Sequence, residues 1–274
     1  PGTYTIKLTV TNSCGSASIT KTVKVKQPPT VSLATIDNFC NSSSLTPSAT
    51  VASCAPNTRT LTYAWTFTGA SPSSSSSATP SGLTYATPGT YSISLSVSNE
   101  CGTSSATSNT FTVLPNGQVN QPDNQVVCNG AATNVVTFST TNVGGTTTYA
   151  WSNNTTSIGL GASGTGKINS FFGVNTGSSP VIGTITVTPT YTSGLVSCVG
   201  SSKQFTIQVN NVAAGSIGFS QTICNGGDPS LIVNVSSGTG AGSVSYQWQS
   251  STNNTSWSNI SGANSSSYDP PSGL

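Results

Sequence analysis

The sequence predicts an all-β protein, built as tandem two-sheet sandwich domains arranged end to end. Three observations predict it. Apolar residues alternate with Thr, Ser and Lys along short runs, as in Tyr4, Ile6, Leu8 and Val10 or Tyr91, Ile93, Leu95 and Val97. Clusters of Gly, Pro, Asn and Ser separate those runs. Long stretches then recur at the spacing of one small domain. Period-2 alternation puts one face of a strand on a core and the other in water. The clusters supply the turns between strands. No stretch shows the 3.6-residue period of a helix.

The repeat gives the domain organisation. Pro1-Gly-Thr-Tyr-Thr-Ile-Lys-Leu-Thr-Val-Thr-Asn-Ser-Cys14-Gly15 returns as Pro88-Gly-Thr-Tyr-Ser-Ile-Ser-Leu-Ser-Val-Ser-Asn-Glu-Cys101-Gly102. Tyr63-Ala-Trp65 returns at Tyr149-Ala-Trp151 and Tyr246-Gln-Trp248. Cys40-Asn41 returns at Cys128-Asn129 and Cys224-Asn225. The interval is too long for a solenoid and suits an immunoglobulin-like sandwich of about 100 residues or slightly fewer, with its buried Trp on the third strand. Trp65, Trp151 and Trp248 are therefore expected in cores. Tyr4 and Tyr91 are expected in a core or a tyrosine corner.

Taken in order, residues 1–26 read as the last two strands of a domain. Lys26-Gln27-Pro28-Pro29 reads as a short stiff linker. Residues 28–115 and 116–211 read as complete domains, and 212–274 as most of a third that lacks its final strands. Both ends read as cuts within a longer protein. The joins are short, so neighbouring domains are expected to touch rather than swing. Ser73 to Ser77 reads as an exposed loop.

Composition excludes several functions. Only 4% of residues are charged, against about 25% in ordinary domains. The net charge of +2 provides neither the dense basic surface that nucleic acid requires nor an electrostatic membrane anchor. No apolar run reaches the ~18 residues of a membrane span, and no signal peptide is visible. The β-branched and aromatic alternation argues for folding rather than disorder. Lys7, Lys21, Lys24 and Lys26 read as a solvated strand face that protects an edge.

Catalysis finds no apparatus. With no His, a Ser–His triad is impossible. The acids Asp37, Glu100, Asp123, Asp228 and Asp269 stand apart, so no carboxylate pair is expected. No Cys has an evident activating base, and no cysteine pair has zinc spacing. No catalytic, cofactor or metal residue is assigned. Trp257 differs from the other tryptophans because it sits in a polar hairpin. It packs over a sheet edge or forms part of a contact surface.

The motifs also carry a likeness. Pro88 to Gly102 and Leu61-Thr-Tyr-Ala-Trp-Thr-Phe-Thr-Gly69 resemble strands of PKD-type domains. Cys128-Asn-Gly-Ala-Ala-Thr-Asn-Val-Val-Thr-Phe138, Ile158 to Gly166 and Ile185-Thr-Val-Thr-Pro-Thr190 are similar to the PKD-like repeats of giant Bacteroidota surface proteins. Tyr246 to Ala263 resembles the Ig-like repeats beside them. The array as a whole resembles the SprB-type gliding-motility adhesins exported by type IX secretion. That resemblance implies a non-catalytic segment of a surface adhesin filament, extracellular and attached to the outer membrane. It implies three partners: neighbouring domains of the same chain, extracellular surfaces or polysaccharide, and secretion or motility machinery reached through other regions. Alternatives are a carbohydrate- or protein-binding module and the stalk of a large secreted enzyme. The PKD aspartate-rich turn is missing at Phe67-Thr-Gly69-Ala.

Seven cysteines indicate disulfides and an oxidising compartment. In a sandwich of this kind Cys54 and Cys101 occupy turns at one end and can pair. Cys40, Cys128 and Cys224 precede the second strand at the other end, about 20–25 Å away. A bridge needs Cα atoms within about 7 Å. One scheme pairs Cys40 with Cys198 across a domain joint, leaving Cys128 and Cys224 for later domains and Cys14 for an upstream one. The rival pairs Cys128 with Cys198, with Cys40 free or bonded to Cys54.

Overall fold

The computed structural model describes residues 1–53, 61–218 and 220–273. The chain forms two compact units. The first contains Pro1–Gln118, Asn142–Thr147 and Thr190–Ser201. The second contains Val119–Thr141, Thr148–Pro189 and Ser202–Leu274.

The first unit opens with a long hairpin, β1 (Gly2–Asn12) and β2 (Gly15–Val25), paired antiparallel from Gly2↔Val25 to Asn12↔Gly15. Its apolar residues share one face, as alternation requires, but that face is open: Tyr4 is 56% and Leu8 61% exposed. Tyr4 is therefore exposed here, with no layer on the hairpin among the described residues.

The sandwich that follows has eleven short strands among the described residues: β3 (Thr30–Leu33), β4 (Phe39–Cys40), β5 (Ser44–Leu45), β6 (Ala49–Ala52), β7 (Thr62–Phe67), β8 (Ser74–Ser75), β9 (Leu83–Thr84), β10 (Gly89–Tyr91), β11 (Ile93–Asn99), β12 (Gly102–Thr107) and β13 (Phe111–Leu114). One sheet runs β12-β11-β7-β8. The hairpin of β11 and β12 continues into the three-stranded β10-β13-β4 sheet, and β3-β6 and β5-β9 form separate two-stranded pairs. The alternation of β11 sends Ile93, Leu95 and Val97 inward against Trp65, Phe67, Leu83, Phe111 and Val113, all at most 2% exposed. Pairing is antiparallel except that β4 joins β13 in parallel, Cys40 opposite Leu114. Asn109 accepts from Ile36 N and donates to Ile36 O, tying the segment after β3 to the one before β13.

The second sandwich has β14 (Gln125–Cys128), β15 (Thr146–Asn153), β16 (Ser163–Thr165), β17 (Val181–Ser193), β18 (Val196–Val199) and β19 (Lys203–Asn210) in one sheet of order β14-β19-β17-β15-β16, with β18 on the far end of β17. Again one edge pairing, β14 with β19, is parallel, Cys128 opposite Asn210. The ends of β15 and β17 belong to the first unit. The core gathers Val136, Phe138, Ile158, Ile168, Ile185, Val187, Phe205, Ile207 and Val209. The facing layer is held by isolated bridges, Val136↔Ile168 and Ala132↔Phe172, rather than by long strands. Helix among the described residues is confined to one 3-10 turn, Thr156–Ile158.

Residues from 212 onward carry β20 (Val212–Ala213), β21 (Ser216–Ile217), β22 (Asn234–Ser236), β23 (Thr239–Gly240), β24 (Gln249–Ser250) and β25 (Ser258–Asn259) as two-stranded pairs. Ile217, Leu231, Val233 and Val235 remain exposed. Trp248 stacks on Tyr268 at 5.3 Å and donates to Ser265 O. The three tryptophans expected in cores therefore differ. Trp65 is 2% exposed, whereas Trp151 and Trp248 are only half-buried. The reason is local: Trp151 lies beneath short β16, and Trp248 has one ring beside it instead of a closed second sheet.

Candidate functional site

The chemistry of this chain concentrates at its cysteines. Cys40 ends β4, and the parallel pairing with β13 fixes its place. Asn41 N donates to Leu114 O at 2.9 Å, and Ser43 N donates back to Cys40 O at 2.9 Å, closing a turn. Cys198 lies on β18, directly opposite Tyr191 on β17. The two are joined by a disulfide with Cα atoms 5.5 Å apart, an ordinary separation for such a bond.

The bond sits in a small apolar nest of Leu114, Tyr191 and Cys198, with Cys40 and Val196 against it. Cys198 is 1% exposed. Tyr191 donates its hydroxyl to Val143 O at 2.9 Å, and Gly117 N donates to Cys198 O at 3.0 Å. Asn142 Nδ2 donates to Asn116 O at 3.1 Å. Two glycines allow the close approach. A Cβ on Gly145 would stand 2.5 Å from Thr192 O and 2.7 Å from the Tyr191 ring. A Cβ on Gly200 would stand 1.6 Å from Gly117 O. The hairpin end Thr190–Ser201 is thus seated on residues 114–117, the stretch that leaves β13.

In the structure Cys198 is bonded to Cys40 and not to Cys128. Cys128 is exposed and unpaired, because its strand lies against β19 rather than against the β17–β18 hairpin. Cys101 is likewise exposed and unpaired among the described residues. Its proposed partner, Cys54, lies outside them. Cys14 and Cys224 are exposed thiols too.

Each free thiol has a defined setting. Cys14 and Cys101 occupy the turns of hairpins, where their N–H groups donate to Asn12 Oδ1 at 2.8 Å and Asn99 Oδ1 at 2.9 Å. The Cys101 hairpin is held to the linker before its own domain: Asn99 Nδ2 donates to Gln27 O at 3.1 Å, and Lys26 pairs with Glu100. Cys128 and Cys224 begin turns closed by Ala131 N→Cys128 O at 3.0 Å and Gly227 N→Cys224 O at 2.9 Å.

Among the described residues no group of three or more His, Cys, Asp or Glu side chains could hold a metal. Trp257 is 53% exposed, on the turn between β24 and β25, where Asn253 Oδ1 accepts from Thr255 N and Ser256 N. Sequence reasoning did not find Leu114, Gly117, Tyr191 or Val143, which build the disulfide nest. Tyr191 alone carried a signal, as an inward position of the alternating β17 run.

The PKD domain family matches residues 26–114. A family described as a domain of unknown function, DUF8696, matches residues 213–274. No curated protein matches the chain. Among solved structures, a three-domain stretch of titin is similar at 13% identity and TM-score 0.32, over 76% of this chain and 74% of that one. The three N-terminal domains of the bacteriophage RB49 highly immunogenic outer capsid protein are similar at 17% identity and TM-score 0.33, over 86% and 79%. A SusE-like surface located polysaccharide binding protein from Bacteroides thetaiotaomicron is similar at 10% identity and TM-score 0.31, over 89% of this chain and 51% of that one. The strand pairing defines an all-β protein of tandem immunoglobulin-like sandwiches, of which the stretch 26–114 matches the PKD domain family.

Proposed function

We propose that this chain is a repeat segment of a long cell-surface adhesin filament, serving as a stiff spacer and an adhesive surface in attachment and gliding. The observation that carries the proposal is the Cys40–Cys198 bond. It fastens the leading turn of one sandwich to a hairpin of the next repeat, which suits a protein that works by reach and stiffness. Bonds of this kind persist outside the reducing cytosol, which supports an extracellular location at the outer membrane. A surface of hydroxyls and amides with 4% charged residues also suits contact with polysaccharide better than with a charged partner. Export and motility machinery would be met through other parts of the protein.

Fab fragments raised against residues 28–115 test this. They are expected to label intact cells and to reduce attachment to a solid surface. Cells that bind Fab only after lysis would overturn the proposal. A second reading, a carbohydrate-binding module, is favoured by one observation, the exposed ring of Trp257. A glycan array on the isolated chain separates the two. Tight binding to one sugar, lost in Trp257→Ala, would replace the spacer reading with the module.

A further inference from the structure

We propose that the Cys-Asn turn is a general post for a covalent staple, and that Cys128 is a second such post. Its partner is the hairpin cysteine of the repeat that follows the 116–211 sandwich. The first rung is visible in the Cys40–Cys198 bond.

Cys128 reproduces the setting of Cys40 in each backbone particular. Both end a short strand paired in parallel with the last strand of their own sandwich, Cys40 opposite Leu114 and Cys128 opposite Asn210. The next residue donates its N–H to that same opposing residue: Asn41 to Leu114 O at 2.9 Å, and Asn129 to Asn210 O at 2.6 Å. The residue three beyond the cysteine closes the turn onto its carbonyl, at 2.9 Å from Ser43 and 3.0 Å from Ala131. Cys128 is nevertheless an exposed thiol.

The complementary half of the bond is present as well. Cys198 reaches Cys40 because its hairpin is seated on the segment that leads into its own domain, through Gly117 N→Cys198 O. The β11–β12 hairpin, with Cys101 at its turn, is seated in the same manner on Lys26 and Gln27. A hairpin so placed sits beside the end of the preceding sandwich, where a post stands. The unpaired thiols thus sort into two kinds, turns that offer a post (Cys128, Cys224) and hairpin ends that reach for one (Cys14, Cys101). The array becomes a ladder with one rung per joint.

Closing a rung breaks two S–H bonds and forms one S–S bond. The two protons and two electrons pass to a disulfide-bearing oxidant of the thiol–disulfide exchange class, whose S–S bond breaks as it becomes a dithiol.

The test uses the natural full-length protein, with free thiols blocked by iodoacetamide before unfolding and the peptides mapped without reduction. The Cys128 peptide is expected to be linked to a peptide from the hairpin of the following repeat, and to separate from it on reduction. Alkylated Cys128, or Cys128 linked to Cys101, Cys224 or a cysteine not on a hairpin, would overturn the proposal. Cys128→Ser in the same protein is expected to expose one additional alkylatable thiol, on that hairpin. No gain of alkylation there would also overturn it. The inference rests on the tandem fold and not on adhesion, and peptide mapping reads the bond whether or not the cells attach.

Discussion

Tyr85 brings a hydroxyl into the core of the first sandwich, where it is 0% exposed and its oxygen finds no hydrogen-bond partner among the described residues. Its ring is well supported, 4.7 Å from Tyr91 and 5.7 Å from Phe111. Burial, and after it the neighbouring Tyr91, hold its pKa above the usual tyrosine value of 10.0. An unpaired buried hydroxyl costs on the order of 1–3 kcal/mol, so Tyr85→Phe is expected to be neutral or to stabilise by about 1 kcal/mol in urea unfolding at pH 7. The raised pKa has a definite sign. Below pH ~10 both folded and unfolded states keep the proton. Above it the unfolded state ionises first, so stability falls as pH climbs toward the folded pKa. Urea midpoints measured at pH 7 and at pH 11 are expected to drop less in Tyr85→Phe than in the parent. Asn175 is the opposite case. It is 2% exposed and fully employed, donating to Ser179 O and Val209 O and accepting from Gly177 N. Asn175→Ala is expected to cost about 2–3 kcal/mol, because several buried backbone groups lose partners at once.

At the scale of the element, β1 and β11 make an instructive pair. Their sequences alternate identically and both form hairpins, yet Leu95 is 0% exposed and Leu8 is 61% exposed. Alternation reports which face of a strand can be buried. It does not report whether another layer lies on that face. Leu95→Ala is therefore expected to cost about 2–5 kcal/mol, and Leu8→Ala less than about 0.5 kcal/mol, measured by equilibrium denaturation of the same chain. This contrast also explains how much of the fold was legible. The long alternating strands, the hairpins ending at Cys14 and Cys101, and the Trp65 core position follow from local pattern. Two-residue strands such as β4, β5 and β9 carry too few residues for a period to be read. The parallel joining of β4 to β13 is a contact between distant segments, invisible to any window along the chain. The disulfide site was half legible. Topology narrowed the partners of Cys198 to two schemes. The nest that decides between them depends on Tyr191, Gly117 and Gly145, which only the fold brings together.

At the scale of the molecule, the disulfide closes a loop with a sequence separation of 158 residues. In the chain-entropy picture a loop of that length contributes about 5 kcal/mol as an upper estimate, by restricting the unfolded chain. The same loop removes its residues from any extension by force. At about 3.3–3.6 Å per residue, reduction is expected to lengthen the fully stretched chain by roughly 500–570 Å. Single-molecule pulling with and without a reductant checks this, and equal contour lengths would show that the bond is not formed. Cys40→Ser is expected to behave as the reduced chain does.

The parallel edge of each sandwich has a mechanical meaning. The strand that enters, β4 or β14, runs alongside the strand that leaves, β13 or β19. Once the disulfide is reduced, tension along the chain tugs such neighbours in opposite senses. Their hydrogen bonds lie across the pull and carry it together, whereas a hairpin loaded at its open end parts one rung at a time. In the reduced chain, Val127→Pro deletes a donor from that edge in the second sandwich and is expected to lower the rupture force of that sandwich while leaving the first unchanged.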